Sequence, residues 1–154
     1  MTRFYPVAVV LLIAIFAVAI LATGGTLLLF ISTEALLLVL APSLVLALGT
    51  HNLREIGRCF AIGFPGSVPD RHDLEVAEAF FRALGRYLTG SGVAGFLLGA
   101  IVMLANLYGD ASTIGTGTAV ALLTVFYAIL LVIAVPVPYL AGIRRRQADL
   151  ERSG

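Results

Sequence analysis

Apolar residues in this chain fall into four long runs, at 5–22, about 34–50, about 88–107 and about 114–140. The first reads "YPVAVVLLIAIFAVAILA" and the second "EALLLVLAPSLVLALGT". Crossing about 30 Å of hydrocarbon takes about 20 apolar residues at 1.5 Å rise each, and each run meets that length. Backbone in lipid must satisfy its own hydrogen bonds, so each run is expected as a helix. The run at 5–22 has the look of a secretory leader after Arg3. Its apolar stretch is long, though, and "ATGGT" is a poor cleavage site, so it is read as a retained span.

The polar stretch at 51–87 has its own pattern. "FPGSVPD" (64–70) is expected as a turn, because Pro65 and Pro69 prevent a helix from passing through. After it, "DLEVAEAFFRALGRYL" places Leu74, Ala77, Phe80, Phe81, Leu84 and Leu88 at helical spacing. Acids open that segment, and Glu78 precedes Arg82 by four residues, the favourable order. No breaker separates it from the third run. One long helix at 73–107 is therefore expected, and a similar one at 114–148. A shorter amphipathic piece, "HNLREIGRCFAIGF", has Leu53, Ile56, Phe60 and Phe64 on one side and is expected at the membrane interface. The whole chain, 1–154, reads as one all-α membrane domain of four transmembrane helices.

Composition removes other classes. At 60% hydrophobic and 12% charged residues, with a mean hydropathy of +1.03, a soluble domain of 154 residues could not hide its apolar surface. Ten arginines against nine acids give no case for a nucleic-acid partner. No metal-ligand cluster, phosphate loop or nucleophile elbow is present, so neither an enzyme nor a cofactor is expected. Cys59 is the only cysteine, which excludes an intrachain disulfide.

All ten arginines lie at residue 3, between 54 and 86, or between 144 and 152, and the two remaining connections carry none. The positive-inside rule then puts both termini and the middle loop in the cytoplasm. Within the four runs there is no Asp, Glu, Lys, Arg or His apart from Glu34, at the start of the second. Glu34 follows Ser32 and Thr33 and reads as helix-terminal charge.

Two runs carry faces of small residues. In the third, Gly85, Gly92, Gly95 and Gly99 share a face; in the fourth, Thr113, Gly117, Ala121, Thr124 and Ala128 do. Small residues let helix backbones approach in lipid, where little hydrophobic drive exists. Two arrangements remain open: the faces pack on each other within one chain, or the two helices from several copies surround a narrow lumen.

The stretch "GFLLGAIVMLANLYGDASTIGTGTAVALLTVFYAILL" (95–131) resembles the MotA/TolQ/ExbB proton-channel family, in particular its short MotA-like members. The likeness lies in the glycines Gly95 and Gly99, the outer Asp110 to Ser112, and the run from Gly115 to Thr124. A looser likeness covers 27–60. The resemblance implies a homo-oligomeric ring, pentameric in known members, in a bacterial inner membrane. It also implies a motor or energising complex in which a single-span partner of MotB/TolR/ExbD type supplies an aspartate. Under it, Gly92, Gly95, Phe96, Gly99, Thr113, Gly117, Ala121, Thr124, Val125 and Ala128 line the pore or its interfaces, with Thr124 on the lumen side. The chain departs from the pattern at Phe96 and Val125, where family threonines are usual, at Thr89, where a proline is, and at Ala41-Pro42-Ser43, where a kink is expected. A non-conducting oligomeric scaffold of the same fold is the alternative.

Overall fold

A computed structural model describes residues 5–22, 30–62, 70–106 and 111–153, all helical apart from short caps and turns. The helices are α1 (Tyr5–Ala22), α2 (Thr33–Thr50), α3 (Leu53–Ala61), α4 (Arg71–Ala105), α5 (Ala111–Ala134) and α6 (Pro136–Ser153). Among the described residues, three helical stretches are long and apolar enough to cross a membrane: Thr33–Thr50, Arg71–Ala105 and Ile114–Arg152. The turn expected at 64–70, apart from Asp70, and residues 107–110 of the outer connection, with Asp110, lie outside the described residues.

Helix starts follow local chemistry. Ser32 Oγ accepts from the Ala35 N–H at 3.2 Å, and Asp70 Oδ1 accepts from the Arg71 N–H at 2.8 Å. Each side chain satisfies a donor that has no partner within the helix. At α3 the Asn52 N–H donates to Glu55 Oε2 at 3.4 Å, as in a capping box. Pro42 sits inside α2 without ending it, and the adjacent Ser43 hydroxyl donates to the Val39 carbonyl at 2.7 Å.

The continuous helix expected at 114–148 is divided at Val135. Pro136 and Pro138 have no N–H, so the carbonyls of Val132 and Ala134 lose their helical donors. The register nevertheless carries through, since Val135 N–H donates to Leu131 O at 3.0 Å and Tyr139 N–H to Val135 O at 3.4 Å. The result is a proline joint rather than a loop.

The core is an apolar spine along α4. Its most extensive packing is against α5, then α2, then α6. Below the apolar part of the bundle, Phe60, Phe80, Phe81 and Tyr139 join α3, α4 and α6 in a ring cluster. Phe81 stacks on Tyr139 at 4.4 Å between centroids, and Phe60 meets both Phe81 and Tyr139 edge-on. Cys59 is buried beside this cluster. Burial first, and then the charge of Glu55, push its thiol pKa up.

Polar ties fix α6 to the rest. Glu78 Oε1 accepts from Arg82 at 2.5 Å and lies 3.5 Å from Arg144 Nε, while Oε2 accepts from Gln147 Nε2 at 3.2 Å. The Gln147 hydrogen bond, followed by the two arginines, holds the Glu78 carboxyl below its ordinary range. Arg146 donates to the Ile62 carbonyl at 2.8 Å, joining α6 to the end of α3. At the other end of the bundle, the Tyr127 hydroxyl donates to the Phe30 carbonyl and accepts from the Ser32 N–H.

Candidate functional site

The two small-residue faces meet each other within one chain. A Cβ added to Gly92 would stand 2.4 Å from the Ala128 Cβ, one on Gly95 2.8 Å from the Thr124 Cγ2, and one on Gly99 2.8 Å from the Ala121 Cβ. Near the top of the pair, Gly117 faces the backbone of Gly99 and Met103. The helices are antiparallel, so the spacings three and four on α4 mate with four and three on α5. Backbones that come this close gain dispersion contacts along their length, the main source of helix association in lipid.

Thr124, expected on the lumen side, lies in this contact. It is fully buried, its methyl group fills the notch at Gly95, and its hydroxyl donates to the Ala121 carbonyl at 2.8 Å. That bond within its own helix consumes the donor. Ala121 and Ala128 are also buried in the contact, whereas the Thr113 side chain lies outside the described residues.

The α4–α5 pair has two flanks. One is covered by α2, where the Ser43 hydroxyl lies 3.1 Å from the Ser91 hydroxyl and both are buried. Ala35, Val39 and Ala47 fill the rest of α2's inner face. No buried side-chain nitrogen or oxygen among the described residues lacks a partner.

The opposite flank is open. Phe96, 39% exposed, and half-buried Val125 lie toward it, with Val93 and Ile129 more exposed. A groove runs down this seam past Val93, Val125 and Ile129 to Thr89 and Val132, and continues past Gly85 and Pro136 to Arg82 and Arg86. Gly85 and Gly90 leave the α4 wall low, and Pro136 stands opposite. Comparison with known protein families and with curated proteins gives no match.

Of the ten residues singled out by sequence, seven form or border the contact within the chain: Gly92, Gly95, Gly99, Gly117, Ala121, Thr124 and Ala128. Phe96 and Val125 belong to the open flank. A hydroxyl that the sequence reading passed over is Thr118. It is seven residues from Val125, hence on the same helix face, and it donates to the Ile114 carbonyl at 2.8 Å with Met103 Sδ at 3.1 Å. The signal was the spacing from Val125, hidden because Thr118 stands one position off the small-residue face.

Chemically, the seam offers an apolar wall with the half-buried Thr118 hydroxyl above it, and the Thr89 hydroxyl, donating to the Gly85 carbonyl at 2.8 Å, and a pair of arginines below. Among the described residues that line the seam above Arg86, none is Asp, Glu, Lys, Arg or His.

Proposed function

We propose that this chain is a MotA/TolQ/ExbB-like subunit of an ion-driven motor or energising complex. In this reading it forms a ring, five-membered as in the family it resembles, around a single-span partner in a bacterial inner membrane. The observation that carries the reading is the asymmetry of the α4–α5 pair. One flank is sealed by α2, and the other is an uncovered apolar wall in spans that contain no ionisable residue. A ring that turns its open flanks inward makes a lumen whose only titratable group comes from the partner. A charge at depth is costly and normally functional, so placing it on one central helix limits that cost to a single site.

In the proposed topology α1 is a fourth span and both termini are cytoplasmic, following the arginine distribution. In a Cys59→Ala background, a cysteine at Gly109 should be labelled from outside the cell and one at Ser67 should not. The reverse pattern would invert the topology.

The wall is dry. Phe96 and Val125 offer no hydroxyl, and a narrow apolar constriction blocks ions by dewetting. Reconstituted alone in vesicles under a pH gradient, the protein should therefore give no flux above empty vesicles. Flux should require co-reconstitution with a single-span chain bearing an aspartate. It should then fall severalfold in Thr118→Val, whose hydroxyl is only half-buried, and stay unchanged in Thr124→Val, whose hydroxyl is fully buried in the helix contact. Strong flux from the protein alone would refute the dry wall. Absence of flux with every such partner would favour the scaffold reading, which the apolar character of Phe96 and Val125 also supports.

A further inference from the structure

The seam between α4 and α5–α6 changes character along its length. Its upper part, about 160 Å³, is walled by Val93, Val125, Ile129 and the Gly92–Ala128 contact. Its lower part, about 410 Å³, widens where Gly85 and Gly90 lack side chains and Pro136 interrupts the opposing helix, and it ends at Arg82 and Arg86. The two parts share Thr89 and Val132, so they form one groove.

Charge at the lower end is out of balance. Arg82 and Arg144 share a single carboxylate, Glu78, and Arg86 follows one turn above Arg82 on the groove. Arg86 is exposed and has no carboxylate partner among the described residues. A guanidinium carries five donors, so Arg82 keeps free N–H groups after bonding to Glu78. These arginines stand where the apolar part of α4 begins, the end at which a membrane-spanning helix meets lipid phosphates. From Arg86 to Val93 the groove rises about 10 Å, two thirds of the roughly 15 Å depth of one leaflet.

We propose that this groove binds an anionic phospholipid, with its phosphate on Arg86 and Arg82 and one acyl chain lying in the seam toward Val93 and Ile129. Charge selects the head, since planar guanidinium forks match phosphate oxygens. Width selects the tail. An α-helix with its side chains is about 10 Å across and cannot enter the narrow upper seam, whereas a single acyl chain can. A basic pocket between helices at the membrane surface is a physically sound place for such a headgroup. The inference concerns one chain; in a ring that turns this flank inward, the bound lipid would lie on the lumen wall.

The test is native mass spectrometry of the delipidated protein titrated with phosphatidylglycerol or with phosphatidylcholine of the same acyl chains. One phosphatidylglycerol per chain should bind at least tenfold more tightly than phosphatidylcholine. Arg86→Gln, which breaks no ion pair, should abolish that preference and leave the helical content intact. Thr89→Phe should fill the junction of the two parts and weaken both lipids, and inorganic phosphate at equal concentration should displace neither. Equal affinity for the two lipids, or an unchanged preference in Arg86→Gln, would overturn the proposal. Displacement by inorganic phosphate would also overturn it, by showing a free-anion site with no role for the tail.

Discussion

Gly99→Ala is expected to unfasten α4 from α5, despite adding one methyl group. The added Cβ would stand 2.8 Å from the Ala121 Cβ and 3.0 Å from both its Cα and its backbone nitrogen. A backbone cannot step aside as a side-chain end can, so the helices must separate along the contact. Overpacking of this kind costs about 1–3 kcal/mol, and the loss of neighbouring dispersion contacts adds to it. Gly92→Ala meets the Ala128 Cβ at 2.4 Å and should behave alike. Gly49→Ala and Gly115→Ala, where an added Cβ meets nothing within 4 Å, should be neutral or slightly stabilising through helix propensity. Thermal unfolding in detergent should therefore split the four variants into two pairs. Equal behaviour of all four would mean that α4 and α5 do not meet through this face.

Phe81→Ala should cost about 3–5 kcal/mol, the usual range for deleting a buried aromatic ring. Phe81 is fully buried and contacts Phe60, Phe80 and Tyr139, so its loss removes the centre of the cluster joining three helices. Cys59 reports the effect directly. In the unmodified protein its buried, high-pKa thiol should react slowly with a maleimide. In Phe81→Ala the reaction should accelerate at least tenfold as α3 detaches. Unchanged protection would show that α3 is held by other contacts, such as the Arg146 bond to Ile62.

The glycine face of α4 could be read in advance because its spacing is a geometric property of one helix. The amphipathic stretch from Leu74 to Leu88 was equally plain: every apolar position named there is buried. What the small residues would pack against was not decidable, since a face suited to close approach fits any partner of matching spacing. The antiparallel match of Gly92, Gly95 and Gly99 with Ala128, Thr124 and Ala121 resolves that point within the chain. Thr124 is placed on the lumen side by the resemblance, because it stands near the family's threonine position. Its actual place depends on the depth of the notch at Gly95, which no periodicity expresses. The joint at Val135 was overlooked for a different reason. Pro136 and Pro138 were visible, but hydropathy stays high through them, and apolar length masked the loss of two backbone donors. The lower groove was invisible as a site, because Pro136 is far in sequence from Arg86 and Gly90 and none of them means anything singly.

The intrachain contact changes what glycine variants can reveal about assembly. Gly95→Leu would damage the fold itself, so a lost oligomer in that variant would say little about contacts between copies. The ring must be tested on the unmodified protein. Native mass measurement after mild detergent extraction does so directly. The account predicts one complex with a protein mass about five times the 16.2 kDa of the chain. A single species at 16.2 kDa, persisting across detergents and with lipid retained, would contradict the ring and with it the proposed motor function.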